Sequence, residues 1–173
     1  MLCPRTAQRF AFVIINGFPT FYHANNPNTF SPQVRARLPY PSFRDWPATW
    51  LLDVRNRRDQ GLCWPVASEI DVYEAAAGYG NNSICGSYHW SGDGRCYVDD
   101  GRFRTGCATY SQIPYDTAFH TYTLAWSVGP GGTWEISWSY DDRAIFLINE
   151  MSDPRAPPPS ASYYVIAETA LAW

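Results

Sequence analysis

The chain of 173 residues has the length of one domain, and its 46% hydrophobic and 17% charged residues exclude a disordered protein. Its net charge of −3 and the lack of a basic stripe argue against a nucleic-acid partner, and the longest early apolar run, Phe10–Ile15, is too short for a membrane span or a signal-peptide core. Aromatic residues make up 17% of the chain, more than a core of this size requires, which suggests a ligand with flat apolar faces.

Short apolar segments run along the chain, and no long stretch shows helical periodicity. The first strand-like patterns are Gln33–Leu38 and Thr49–Leu52, and a third, Ile70–Tyr73, lies inside an acidic segment. Clusters of Pro, Gly, Asn and Asp divide them. This punctuation favours an antiparallel sandwich of many short strands over alternating β and α units.

Three acids interrupt the apolar strand that follows Trp64 and Pro65, namely Glu69, Asp71 and Glu74. Side chains alternate between the two faces of a strand, so Glu69 and Asp71 share a face while Glu74, five residues after Glu69, points the other way. One β-bulge between Asp71 and Glu74 returns the third acid to the common face, and bulges occur beside active sites. We therefore predict a bulged strand that presents all three carboxylates on one surface.

The spacing of the two glutamates suits a particular chemistry. Four regular strand steps separate Cα atoms by roughly 13 Å, and side chains that lean together leave about 5 to 6 Å between the carboxyl groups. Retaining glycosidases hold their two carboxyl groups about 5 to 5.5 Å apart, and Asp71 would hold Glu69 through a shared proton or hydrogen bond. The alternatives are a solvent-facing polar sheet edge, and a calcium site, which prefers oxygen-rich turns to an apolar strand.

The cysteines lack the short paired spacings of a zinc site, so no metal is expected from them. Two disulfides and one free thiol fit their number, and the glycosylation pattern Asn81-Asn82-Ser83 also favours an oxidising, secreted setting. The five cysteines are Cys3, Cys63, Cys85, Cys96 and Cys107.

The second half of the chain predicts a β-hairpin. Thr121–Trp126 and Thr133–Tyr140 are rich in β-branched and aromatic residues, and Gly129–Gly132 forms the turn between them. Pro154–Pro159 predicts an extended surface loop, and Tyr163–Ala167 predicts a further strand.

Several motifs, in order, resemble segments of glycoside hydrolase family 16, in its laminarinase-like (endo-β-1,3-glucanase) branch. The segment Glu69–Glu74 resembles the bulged six-residue form of that family's E-[ILV]-D-x-x-E signature. Taken together, the similar segments cover roughly residues 30–173. The other similar segments are Val34–Pro39, Trp46–Leu52, Trp64-Pro65, His89-Trp90 and Phe119–Trp126.

The resemblance implies an all-β fold, a concanavalin A-like β-jelly-roll sandwich of two antiparallel sheets whose concave sheet forms the glycan cleft. Family members are longer than this chain. We therefore interpret residues 1–173 as a single partial catalytic domain that is truncated and lacks N- and C-terminal strands, a liability because unpaired edges expose backbone and core.

The resemblance also implies catalytic roles for the three acids. Glu69 would be the nucleophile, Glu74 the general acid and base, and Asp71 the assistant between them.

For substrate binding, the resemblance implies that Trp64 stacks on a sugar near the cleavage point. His89 and Trp90 would hydrogen-bond and stack beside the acids, although a structural role for His89 is an equal alternative. For Trp46 and Trp50 we expect at least one to lie in the sandwich core.

The function implied is retaining endo-hydrolysis of β-1,3-glucosidic bonds in laminarin-type or mixed β-glucans by a two-glutamate double displacement. A non-catalytic β-glucan-binding recognition protein on the same fold is one alternative, and a hydrolase or transglycosylase for another polysaccharide is the other. We expect a polysaccharide partner, no cofactor, no metal, no nucleic acid and no membrane. We also expect a monomer, secreted or in the cell wall, with no signal peptide in this chain.

Overall fold

The computed structural model describes residues 13–14, 29–38, 45–56, 63–75, 83–91, 94–96, 103–109, 118–159 and 163–171. Within these ranges the regular structure is almost entirely β, and no helix has the length and apolar character to cross a membrane. Among the described residues, the helical element is a three-residue 3-10 turn, Pro130–Gly132. The strands are β1 (Val13–Ile14), β2 (Thr29–Phe30), β3 (Gln33–Ala36), β4 (Asp45–Asp53), β5 (Glu69–Glu74), β6 (Ser83–His89), β7 (Phe103–Thr109), β8 (His120–Val128), β9 (Trp134–Tyr140), β10 (Arg143–Asn149) and β11 (Tyr163–Leu171).

The described strands form two antiparallel sheets. The six-stranded sheet has the order β1-β3-β8-β9-β10, with β2 also pairing with β8, and the five-stranded sheet has the order β11-β4-β5-β6-β7. Strand β11 follows β10 in the chain but joins the other sheet beside β4, in register from Tyr163–Asp53 to Leu171–Asp45. Such crossing between two sheets is typical of a sandwich rather than of a meander within one sheet.

The core lies between the sheets and is rich in aromatic rings. Strand β9 alternates buried and outward residues, because one face of its sheet packs on the core. The ring of Tyr73, on β5, lies 4.5 Å from the ring of Tyr122, on β8, and joins the two sheets directly. Burying such rings removes on the order of 150 to 250 Å² each from water, so they supply much of the hydrophobic stabilisation.

The predicted elements in the described ranges are confirmed. β8 and β9 form the predicted hairpin, closed by the turn at Pro130–Gly132. The strand predicted for Gln33–Leu38 ends two residues earlier, at Ala36. The loop at Pro154–Pro159 is irregular and mostly exposed, but it is anchored, since Ala156 is buried in the core. Cys3 and the first two residues of the glycosylation pattern lie outside the described residues.

Candidate active site

Strand β5 contains the predicted bulge between Asp71 and Glu74. The three acids pair with alternate residues of β6. From Asp71 to Glu74, β5 advances by three residues, whereas the opposing segment of β6 advances by only two. Alternate residues of a strand share a face, so the acids that oppose them share that face too. The pairs on β6 are Glu69–His89, Asp71–Ser87 and Glu74–Cys85, and those on β4 are Glu69–Leu52, Asp71–Trp50 and Glu74–Ala48.

The extra residue of the bulge lies on the core side of β5. Val72 and Tyr73 are consecutive, yet both are buried in the core cluster, together with Ile70. All three acids consequently lie on the face of the five-stranded sheet that points away from the core, which we call the acidic face.

Asp71 lies at the centre of the acidic face and is almost completely buried, with 1% of its surface exposed. Its Oδ2 is hydrogen-bonded to His89 Nε2 at 3.0 Å. Burial raises the pKa of Asp71 to about 8, and a hydrogen bond from Ser87 opposes that increase. Asp71 is therefore fixed in position and inclined to hold a proton near neutral pH.

Glu69 is half-buried beside Asp71. Burial, together with the charges of Asp71 and Glu74, raises its pKa to about 8, whereas His89 acts in the opposite direction. Perturbed carboxyl groups of this kind concentrate at functional sites.

Glu74, the third acid, accepts a hydrogen bond from an indole. The Trp46 N–H donates to Glu74 Oε1 at 3.2 Å, and both side chains remain partly exposed. The contact fits the register, because Trp46 lies two residues before Ala48, the partner of Glu74 on β4. One Glu74 oxygen is thereby held while the side chain remains open to solvent.

Aromatic rings form a row beside Glu69. The His89 ring lies 5.9 Å from the ring of Trp64 on one side and is stacked on Phe103, at 5.4 Å, on the other. The buried Trp64 indole N–H lies close enough to Glu69 to lower its pKa, yet it makes no hydrogen bond of ordinary geometry among the described residues. Trp64, His89 and Phe103 are the aromatic row, a surface on which flat apolar faces can stack.

The structure corrects the expectation for Trp90. Its side chain is 2% exposed, belongs to the core cluster and packs on Tyr88 with the rings 5.4 Å apart. The physical reason is strand alternation: Trp90 follows His89 directly, so the two side chains point to opposite sides of the sheet. Of the predicted binding residues, the structure thus places Trp64 and His89 beside the acids and Trp90 in the core.

The expectation for Trp46 and Trp50 is also wrong. Neither belongs to the core cluster. Trp50 pairs with Asp71 across the sheet, and Trp46 contacts Glu74, so both lie on the acidic face. Their strand, β4, is next to β5, and its register decides their face, which composition alone could not reveal.

Three side chains of the site have the donor types that bind cations. Glu69, Asp71 and His89 each bring one ligand atom within 4.8 Å of the others. Three such groups can hold a divalent ion. The hydrogen bond between His89 and Asp71 already accounts for their approach, however, and we assign no metal to them.

Sequence reasoning missed several residues of the site. Phe103 belongs to the site because it pairs with His89 across β6 and β7, a register that the sequence does not specify. Ser87 enters because it opposes Asp71. Strand alternation could have indicated Ser87, because it lies two residues before His89 and therefore shares its face. No sequence feature indicated Phe103.

No family model matches this sequence, and no curated protein matches it. Among solved structures, the endo-1,3-beta-glucanase from Streptomyces sioyaensis has a TM-score of 0.62 at 22% identity, over 84% of this chain and 53% of the other. The laminarinase catalytic domain from Thermotoga maritima MSB8 has a TM-score of 0.60 at 19% identity, over 83% and 53%. The endo-beta-1,3-glucanase from Pyrococcus furiosus has a TM-score of 0.57 at 23% identity, over 83% and 52%.

This chain spans about half the length of those solved structures. At such identities the likeness concerns the fold alone. The fold is accordingly an all-β jelly-roll sandwich of the kind found in glycoside hydrolases.

Proposed function

We propose that this chain is a retaining endo-hydrolase of β-1,3-glucans, with Glu69 as the nucleophile and Glu74 as the general acid and base. The observation that carries the proposal is the bulge of β5, because it brings Glu69, Asp71 and Glu74 onto one face. Solved structures with this fold include endo-1,3-β-glucanases, and we propose β-1,3-glucan as the substrate on that ground. The gap of about 5 to 6 Å between the Glu69 and Glu74 carboxyl groups stays a prediction.

The reaction proceeds in two displacements. A Glu69 carboxylate oxygen attacks the anomeric carbon, the bond from that carbon to the glycosidic oxygen breaks, and Glu74 gives its proton to the departing oxygen. Glu74 then removes a proton from water, the water oxygen attacks the anomeric carbon, and the ester bond to Glu69 breaks. Two inversions give net retention, and Glu74 ends protonated as it began.

Glu69 and Asp71 share one proton, and during this cycle Asp71 carries it. Burial disfavours charge on both Glu69 and Asp71, so one proton shared by the pair costs less than two adjacent charges. A proton held on Asp71 leaves Glu69 ionised and able to attack. His89 orients Asp71 through their 3.0 Å hydrogen bond and acts as a positioning residue.

Trp64 is suited to the sugar that reacts. Its ring lies beside His89 at the Glu69 end of the acidic face, next to the proposed nucleophile. Stacking of a pyranose ring on the indole would hold the reacting sugar against Glu69.

The test measures reducing-end release from laminarin by the wild type and by Glu69→Gln. The amide cannot form the glycosyl ester, so activity should fall by several orders of magnitude. Glu135→Gln is the matched control, because Glu135 is exposed on β9 of the other sheet and should keep wild-type activity. Normal hydrolysis by Glu69→Gln ends the proposal.

Two further measurements separate the alternatives. The anomer that appears first in proton NMR spectra should be the β form, since an inverting reaction would give the α form. A panel of laminarin, lichenan, agarose and carrageenan identifies the preferred polysaccharide. Binding to laminarin without bond cleavage would instead assign the chain as a glucan-recognition protein.

The two disulfides among the described residues indicate that the chain folds in an oxidising compartment. We propose that the protein is secreted or in the cell wall and acts as a monomer. Light scattering of the purified chain tests the latter, and a dimer mass would contradict it.

A further inference from the structure

Two carbonyl groups at the bulge of β5 accept hydrogen bonds from the opposite sheet. The Trp138 indole N–H donates to Asp71 O at 2.7 Å, and the Tyr140 hydroxyl donates to Val72 O at 3.1 Å. Both donors are on β9, and both hydrogen bonds are buried. Carbonyls of a regular strand lie in the plane of the sheet and point to neighbouring strands. These two reach donors across the core instead, at the point where the bulge disrupts the ladder.

The five-stranded sheet has space for the Trp138 ring at this point. A Cβ atom on Gly86, of β6, would lie 2.2 Å from Trp138 Cδ1, so only glycine fits there. Gly106 pairs directly with Gly86, and a Cβ on Gly106 would lie 2.2 Å from Phe146 Cγ. The ring of Phe146 in turn lies 5.1 Å from that of Trp138. The glycine pair thus lets the indole approach the sheet closely enough to reach the bulge.

Tyr140 remains a donor throughout the working pH range. Burial raises the pKa of its hydroxyl well above the usual value, and the charges of Asp71 and Glu74 contribute to that increase. The phenol therefore keeps its proton and continues to bind Val72 O.

We infer that Trp138 and Tyr140 are positioning residues that hold the β5 bulge and thereby keep Glu74 on the same face as Glu69. A strand that lost this bulge would turn the Glu74 side chain to the other face, because successive side chains alternate. The inference rests on the proposed function for its catalytic consequence. It goes beyond that proposal by assigning a role in the reaction to a strand of the other sheet.

Tyr140→Phe tests the inference with the loss of a single oxygen. Its matched control is Tyr88→Phe, because Tyr88 is also completely buried and its hydroxyl also donates to a carbonyl, that of Pro157 in the loop after β10. Trp138→Phe, which removes the donor to Asp71 O and keeps an aromatic ring, is the second variant if the first does not fold.

The first readout does not depend on activity. Amide hydrogen exchange of residues 72–74 should become about tenfold faster or more in Tyr140→Phe, because the bulge loses an anchor, and should not change in Tyr88→Phe. Equal exchange in the two variants overturns the inference. This result stands even if the wild type cleaves no glucan, an outcome that would refute the proposed function alone.

The second readout isolates Glu74. A dinitrophenyl β-laminarioligosaccharide has a leaving group that needs no proton, whereas laminarin needs the general acid. In Tyr140→Phe, kcat/KM on laminarin, which reports the first displacement, should fall about tenfold more than kcat/KM on the aryl substrate, because only the first displacement of laminarin needs the general acid. A merely structural loss would lower both rates equally, and that result would overturn the positioning of Glu74 even if exchange were faster.

Discussion

The carboxyl groups of Glu69 and Asp71 make the stability of this protein depend on pH. Burial raises the pKa of Glu69 from 4.5, and of Asp71 from 3.8, to about 8 in each case. The unfolded chain thus releases these protons at lower pH than the folded chain does. Between about pH 4 and pH 8 the folded state binds more protons, so the free energy of unfolding decreases as pH rises through that window.

Glu69→Gln should flatten this dependence, because the amide carries no charge that burial can penalise. We expect the difference in unfolding free energy between pH 5 and pH 8, measured by urea denaturation, to be smaller in Glu69→Gln than in the wild type. The control Glu135→Gln, on an exposed side chain, should retain the wild-type difference. A variant as pH-sensitive as the wild type would show that Glu69 is not desolvated as described.

Phe103 gives a second prediction at this scale. Its ring is 36% exposed and stacked on His89, so it extends the aromatic row on the acidic face. Phe103→Ala should raise KM for laminarin roughly fivefold, equivalent to about 1 kcal/mol of lost stacking, with a smaller effect on kcat. Phe119→Ala is matched in exposure, at 39%, but Phe119 packs under Arg35 beside β8, and KM should not change. Equal effects of the two changes would remove Phe103 from the site.

The individual strands were largely predictable from the sequence, whereas the order in which they pair within each sheet was not. Alternation and turn residues predict the β8–β9 hairpin, and the odd spacing of Asp71 and Glu74 predicts the bulge. The order of strands in each sheet depends on contacts between residues distant in sequence, which no local pattern encodes. Trp46 and Trp50 were misplaced for that reason, since their face depends on the β4–β5 register.

Gly86 of β6 and Gly106 of β7 leave space for aromatic side chains of the opposite sheet. A methyl group on Gly86 would overlap the Trp138 indole, so Gly86→Ala must push that ring off the sheet. Overpacking of this kind costs about 1 to 3 kcal/mol, and we expect such a loss in the free energy of unfolding measured by urea denaturation. In a Trp138→Leu background the same change should cost less, because the smaller side chain leaves room. Additive effects in this double-mutant cycle would contradict the overlap.

At the scale of the whole molecule, the two sheets have different roles. The five-stranded sheet carries the carboxylates on its acidic face, whereas the six-stranded sheet supplies the buried donors that contact the β5 bulge from the core. The site therefore depends on correct packing of the sandwich as well as on one strand. The sequence predicted the two-sheet architecture, but not which sheet would support the acids.

Two disulfides tie parts of the five-stranded sheet and its loops together. Cys85–Cys107 joins directly opposed residues of β6 and β7 across 22 residues, and Cys63–Cys96 closes a loop of 33 residues beside Trp64. Cross-links over loops of these lengths restrict the unfolded chain and stabilise the fold by about 3 to 4 kcal/mol each in the entropic model.

Replacing either cysteine pair by serine should therefore lower the free energy of unfolding by about 3 to 4 kcal/mol, because the unfolded chain regains the freedom that the cross-link removed. Urea denaturation of both double variants measures the effect. The wild type treated with reductant is the internal control and should be at least as destabilised as either variant, since reduction opens both bonds. A loss below about 1 kcal/mol in both variants would contradict this prediction. The pairing of β6 with β7 and the packing around Trp64 would then be stable without the disulfides, which would weaken the case for an oxidising compartment.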